Sequence, residues 1–246
     1  MPMEFSERAR AAFRRGETDA VSAMSRDEVA RARADGDAPA EVEALYMLSR
    51  LAIRAGELAG ADRIAIEALA VAVRSGDRRL EERPRHVLAA VARMTGDLAH
   101  ARELYLASIA LNELLEQPET VNSEYHNLAF VELHLGNIER ARELFDAGRK
   151  RVLDNGYDGF VPYAMVAAAV LAAVDGDAPR AAGLLGATDA AFRALGQVPD
   201  PDDAAELDAA RSRAVELLGR QAFDRAYALG TALDAREALA GMGPVG

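Results

Sequence analysis

The stretches GELAGADRIA (56–65), GDLAHARELY (96–105), GNIERARELF (136–145) and GDAPRAAGLL (176–185) decide how this chain folds. Each opens on a glycine 40 residues after the last, and Gly16 extends the series toward the N-terminus. A second comb, Gly36, Gly76, Gly156 and Gly196, keeps the same spacing and lacks only a member at Glu116. Five residues past the first glycines stand Ala61, Ala101, Ala141 and Ala181, and four further on stand Ala65, Tyr105, Phe145 and Leu185. Seven residues before them the side chains are small: Ala9, Ser49, Ala89, Ala129 and Ala169. A fixed period of this length marks a repeat array, in which each unit buries its apolar surface against its neighbours.

The glycines suit the positive-φ position that ends a helix, and the acidic residue after most of them suits the cap of the next. The spacing predicts helix pairs at 3–16 with 18–35, 39–55 with 57–75, 78–95 with 97–116, 120–135 with 137–155, and 160–175 with 178–196. As repeats these run about 1–36, 37–76, 77–117, 118–157 and 158–198. Pro199-Asp200-Pro201 breaks the rhythm, because proline cannot continue a helix. Two closing helices, 203–218 and 220–240, complete a capping segment 199–240, and 241–246 is expected to be a disordered tail. The columns eight and five residues before each glycine, with Leu48, Leu88, Leu128, Leu51, Val91, Val131 and Leu171, are the predicted core.

Composition supports helices. The 246 residues include 7 Phe, 6 Tyr and no Trp, so Ala, Leu and Val must fill the core, and Ala and Leu are strong helix formers. With 29 Lys+Arg against 40 Asp+Glu the net charge is −11, which argues against non-specific binding to nucleic acid or anionic membranes. The chain has no cysteine, so disulfides, thiol catalysis and Cys-ligated metals are excluded. The first twenty residues lack the apolar stretch of a signal peptide, and the longest apolar run, Ala164 to Val174, is too short to span a bilayer. A soluble cytoplasmic protein is expected.

Ala101-x3-Tyr105 and Ala141-x3-Phe145, twelve residues after Ala89 and Ala129, resemble the tetratricopeptide pattern, although the period of 40 exceeds that family's usual ~34. The resemblance implies an all-α, right-handed superhelical solenoid of helix pairs; HEAT-type repeats are the structural alternative. The segment 180–240 is similar to the C-terminal end of the LuxR-type and AfsR-type ATP-binding transcriptional regulators of actinobacteria, which implies a regulatory role. Those regulators carry a phosphate-binding loop ending in Gly-Lys-Ser/Thr. Here the one lysine, Lys150, follows Arg149, and the repeats leave no stretch for a DNA-reading domain. Nucleotide hydrolysis and direct nucleic-acid binding are therefore not expected.

Catalytic constellations are not apparent either. His126 and His134 lie eight residues apart on one predicted helix, about 12 Å by helical rise, too far to share a metal. No H-E-x-x-H or G-x-S-x-G motif occurs. Neither metal nor cofactor is expected. Counting back from each glycine at 100° per residue places the columns at minus thirteen, ten, six, three and two opposite the predicted core. They hold Arg83 and Tyr163; Tyr46, His86 and His126; Arg10, Arg50 and Phe130; and Arg54, Arg93 and His134, with Asn127 nearby. In tetratricopeptide proteins that side lines a concave groove. It would suit a peptide or protein partner of anionic or amphipathic character, with Arg and His meeting carboxylates and the aromatics serving as anchors. Three further readings stay open: a sensor for a small-molecule or signalling-peptide effector, an enzyme on an α-solenoid, and simple helix-to-helix packing of these side chains. The apolar stretch 161–174 reads as core or as a small-molecule pocket beside Tyr163, and the cluster Arg78, Arg79, Arg83, Arg85 as a solvated helix start or a nucleic-acid patch.

Overall fold

Nine glycines of the two combs adopt positive φ, from 61° to 84°, and each lies in the turn that follows a helix in the computed structural model, which describes residues 5–242. Where the comb lacks a tooth the backbone keeps the same shape. Glu116 has φ 55°, and among the described residues no other non-glycine has positive φ. Outside glycine that conformation costs about 1–2 kcal/mol, so the turn geometry is imposed by the packing of the helices on either side.

The described residues form thirteen α-helices and two short 3-10 turns, at 78–81 and 158–160, with no strand. They divide into two compact units after Leu135. The first holds α1 (Phe5–Arg14), α2 (Thr18–Asp35), α3 (Ala38–Arg54), α4 (Leu58–Ser75), α5 (Glu82–Met94), α6 (Leu98–Leu114) and α7 (Pro118–His134). In it α1 packs on α2, α3 on α4 and α5 on α6, and each pair touches the next through α2 with α3, α4 with α5 and α6 with α7. The second holds α8 (Ile138–Asn155), α9 (Val161–Val174), α10 (Ala178–Ala194), α11 (Pro201–Leu218), α12 (Arg220–Gly230) and α13 (Ala235–Ala240). There α9 pairs with α10, and α10 also carries α11 and α12.

Three local expectations are corrected. The helix expected from 78 starts at Glu82 instead. Pro84 offers no N–H, and its ring would strike the carbonyl of Leu80 in a continuous helix, so 78–81 tightens into a 3-10 turn. The closing helix expected at 220–240 is broken: α12 stops at Gly230 and α13 starts after Asp234, whose side chain accepts from the Glu237 N–H at 2.8 Å. Capping after the comb glycines also depends on the acid. Asp37, Asp97 and Asp177 accept a hydrogen bond from the first turn that follows, whereas Glu17 and Glu57 make none. The aspartate carboxylate has the short reach that an N-cap needs. The tail at 243–246 lies outside the described residues.

The core is broader than the two columns predicted. The small column, Ala9, Ser49, Ala89, Ala129 and Ala169, is fully buried at every repeat. Leu128, Val91, Val131 and Leu171 are buried as expected, but Leu48, Leu51 and Leu88 are only half-buried. Buried instead are Met47, Val87 and Ala167 at minus nine and Phe13, Ile53 and Ala173 at minus three. A helix flanked by a partner and by neighbours on two sides covers more than the ~100° apolar stripe of a surface helix. No described helix is long and apolar enough to cross a membrane.

In the second unit α10 and α12 meet backbone to backbone. A Cβ on Gly186 would sit 2.1 Å from the Tyr227 carbonyl oxygen, and one on Gly230 would press into the Gly183 backbone. Gly186→Ala or Gly230→Ala should therefore cost about 3 kcal/mol, read as a lowered urea midpoint for the second unit. Glu116→Gly should raise stability by about 1 kcal/mol, since it relieves the αL strain and returns part of the gain as unfolded-chain entropy. An unchanged or lowered midpoint would show that the 114–118 turn carries no strain.

Candidate functional site

The first unit lines up its odd-numbered helices, with α1 touching α3, α3 touching α5 and α5 touching α7. Helices so placed present residues 40 positions apart side by side, and it is on these helices that the candidate residues meet. The Arg54 guanidinium lies 3.8 Å from the centroid of the Phe13 ring, and that of Arg50 lies 4.1 Å from the same ring. Arg50 also lies 5.6 Å from Tyr46, whose ring is met at 5.0 Å by Arg83. The result is an alternating ladder, Arg54–Phe13–Arg50–Tyr46–Arg83, that crosses α1, α3 and α5. Arg54 further donates to the Phe13 carbonyl oxygen at 2.9 Å. Each guanidinium–ring contact contributes about 0.5–2 kcal/mol according to its desolvation, and the rings are anchored in a core that includes Phe13, Tyr46 and Met47.

Glu43 closes the ladder at one end. One carboxylate oxygen accepts from Arg10 Nε at 2.9 Å and the other lies 3.1 Å from Arg83 Nε, so a single side chain on α3 bridges α1 and α5. Glu82, half-buried beside it, pairs with Arg83 at 3.7 Å. Burial raises the Glu82 pKa, against the opposing pull of Arg83 and His86.

Next along the face a half-buried histidine pairs with a buried carboxylate. His86 on α5 approaches Oε1 of Glu124 on α7 at 3.0 Å, and Ser108 Oγ on α6 donates to the same oxygen at 3.0 Å. Glu124 is fully buried, and its Oε2 has no hydrogen-bond partner. Burial alone would lower the His86 pKa, but the charge and hydrogen bond of Glu124 outweigh it and raise the pKa to about 10. At neutral pH the ring is thus a cation, with Nδ1–H donating to Glu124. Arg93, itself buried, donates to Asn127 Oδ1 at 2.9 Å and lies 5.1 Å from the Phe130 ring. His126 meets Phe130 edge-on at 5.0 Å.

The sequence candidates therefore sort into three groups. Arg10, Arg50, Arg54, Arg83, His86 and His126 are partly exposed on one face, and Arg10 and Arg83 share Glu43. Tyr46, Arg93, Asn127 and Phe130 belong to the same row but are buried beneath it, as backing for the face. His134, the last residue of α7, is exposed. Tyr163 lies in the second unit, where it packs edge-on to Phe192 at 5.3 Å and its hydroxyl donates to Asp200 at 3.4 Å. Tyr105 and Phe145 are buried core residues. In the basic cluster, Arg83 and Arg85 pair with Glu43 and Glu81, while Arg78 and Arg79 are exposed.

Sequence reasoning missed the carboxylates. Glu43 stands thirteen residues before Gly56, in the same column as Arg83 and Tyr163, so the column count contained the signal. Glu82 and Glu124 lie one position to either side of that column, at minus fourteen and minus twelve, and no periodicity marks them. Among the described residues, Arg10, Arg50, Arg54, Arg83, Arg93 and protonated His86 stand together with Glu43, Glu82 and Glu124. Among the described residues no group of three or more acidic and histidine side chains is arranged to hold a metal ion.

No protein-family model matches the chain, and no curated protein sequence matches it. Among solved structures, a Rap protein complexed with competence and sporulation factor aligns over 96% of this chain and 71% of its own, with a TM-score of 0.66 at 12% identity. BtubC (BKLC) from P. vanneervenii aligns over 93% of this chain and 94% of its own, with a TM-score of 0.58 at 22% identity. The chain has a tetratricopeptide-like repeat fold. At these identities the likeness establishes the all-α helix-pair architecture.

The raised His86 pKa makes stability depend on alkaline pH with a definite sign. The pair contributes in full below the unfolded-state value near 6.5 and is lost as pH rises through about 10. Stability should therefore fall between pH 7 and 10.5. His86→Ala, which strands a buried carboxylate, should cost about 3–5 kcal/mol at pH 7 and flatten that decline. Parallel pH curves for the two proteins, from urea unfolding, would refute the assignment.

Proposed function

We propose that the chain is a non-enzymatic binding module that holds a peptide or protein partner of acidic character on the odd-helix face of its first unit. The observation that carries this reading is the ladder of guanidiniums stacked on Phe13 and Tyr46. A stacked guanidinium loses little further entropy when a carboxylate docks, and its fixed charge attracts that carboxylate. Tyr46 and Phe130 hold the row in place from below, and half-buried His126 offers a flat edge to an apolar side chain. The fold shared with a Rap protein solved in complex with competence and sporulation factor supports a binding role. The similarity of residues 180–240 to the ends of ATP-binding transcriptional regulators supports a place in a regulatory system of the cytoplasm, with the chain acting as adaptor.

A random displayed-peptide library selected on the whole protein tests this. Enriched sequences should carry Asp or Glu beside an aromatic or aliphatic residue, and their binding should weaken as salt is raised. Arg50→Ala and Arg83→Ala should each reduce the affinity of a selected peptide about tenfold, about 1.4 kcal/mol, with the circular dichroism spectrum unchanged. Selected peptides that lack acidic residues, or that bind the double variant equally well, would overturn the reading.

A further inference from the structure

Helix α13 is fastened to the rest of the second unit at a few points. It packs on α8, α9 and α10, with Leu239 fully buried. Arg149 of α8 donates to the carbonyl oxygens of Leu239 at 3.2 Å and Met242 at 2.8 Å. Arg236 of α13 pairs with Asp158 and donates to the Leu153 carbonyl oxygen at 3.2 Å. The link from α12 is residues 231–234.

That link is an interrupted helix. The N–H groups of Ala232 and Leu233 donate back three residues, to the carbonyl oxygens of Leu229 at 3.3 Å and Gly230 at 3.0 Å, and Asp234 then turns to extended backbone with ψ 122°. Neither proline nor glycine stands between 231 and 240, which is why the sequence reads as one helix over 220–240. Were Asp234 to take helical backbone, α12 and α13 would become continuous, gaining regular four-residue bonds and giving up the Asp234 cap. Leu229 and Leu233 would then share one face, one turn apart. Both are exposed beside the link, at 75% and 51%, and large apolar side chains grouped in water suit burial against another chain.

We propose that two copies of this chain exchange α13. In each copy α12 and α13 run on as one helix, α13 enters the seat on the other copy's α8, α9 and α10, and the Leu229–Leu233 stripes meet about a twofold axis. The seat fits this occupant because it is already built for it: every contact of Leu239, Arg149 and Arg236 is remade between copies. Beyond the cost of association, monomer and dimer therefore differ at the link and at the leucine stripe alone. The inference stands on the second unit and does not depend on what the first unit binds.

Light scattering on the full chain at rising concentration tests this, after equilibration in mild urea to let α13 detach. The mass should move from 26.3 kDa toward twice that value. Ala235→Pro separates exchange from simple association. Position 235 opens α13, where proline is tolerated, and the residue before a proline favours the extended backbone that Asp234 has. In a continuous helix the same ring would strike the Thr231 carbonyl. This variant should keep the monomer's melting temperature, while its dimer dissociation constant rises at least about a hundredfold. Asp234→Ala removes a cap that only the closed form has, and should lower that constant about twentyfold because each dimer contains two links. The chain has no cysteine, so a nitroxide attached through Glu237→Cys reports on one site. Mixed with nitrogen-15-labelled chains, it should broaden α8 and α9 amides of the labelled copies in the dimer fraction. A wild type that stays monomeric throughout, a dimer without that broadening, or an Ala235→Pro protein that dimerises like the wild type would overturn the proposal.

Discussion

Close approach of helix backbones is the constraint on which the rest depends. At the small column, Ala9, Ser49, Ala89, Ala129 and Ala169, and at Ala61, Ala101, Ala141 and Ala181, no side chain reaches solvent. Nothing larger fits there without forcing neighbouring helices apart, because interiors at crystal-like density have no slack for another methylene. The left-handed turns follow from this contact. Helices held so near in antiparallel sense must reverse within two or three residues, and even Glu116 accepts positive φ to do so. The backbone contact of α10 with α12 through Gly186 and Gly230 is the same device in its extreme form.

A fixed register sets where the charged side chains of the first unit stand. Many of the chain's charges are solvated pairs one turn apart, such as Arg140 with Glu143 and Lys150 with Asp154, and such pairs contribute about 0–1 kcal/mol and screen readily. The odd-helix face of the first unit differs in kind. Its cations are held by rings, by a backbone carbonyl, by a bridging carboxylate and by the buried carboxylate of Glu124. Each of these contacts joins different helices, so the positions of the charges are as well determined as the packing itself.

Much of this could be read from the sequence. The glycine combs place the helix ends, and the small columns identify where helices touch, because both are backbone demands that few residue types can meet. Counting from the glycines also brings Arg50, Arg54, Arg83, His86 and Arg93 to one row. What the count could not supply is depth. Tyr46 and Phe130 share columns with exposed residues yet are buried, since burial depends on which neighbour lies alongside. The pairing of His86 with Glu124 joins residues 38 apart on different helices, and Glu124 lies off the column pattern altogether. The break before Asp234 was hidden because α12 and α13 lie beyond the last period.

Pre-organisation of the arginine ladder is the central claim, and it is tested most directly by nitrogen-15 relaxation of the arginine Nε–Hε groups in the ligand-free protein. Stacking on Phe13 predicts order parameters for Arg50 and Arg54 near the rigid-backbone value of about 0.85, with Arg220, exposed at the start of α12, below about 0.6. If Arg50 and Arg54 proved as mobile as Arg220, the ladder would be a row of solvated side chains and the account of the face would be contradicted.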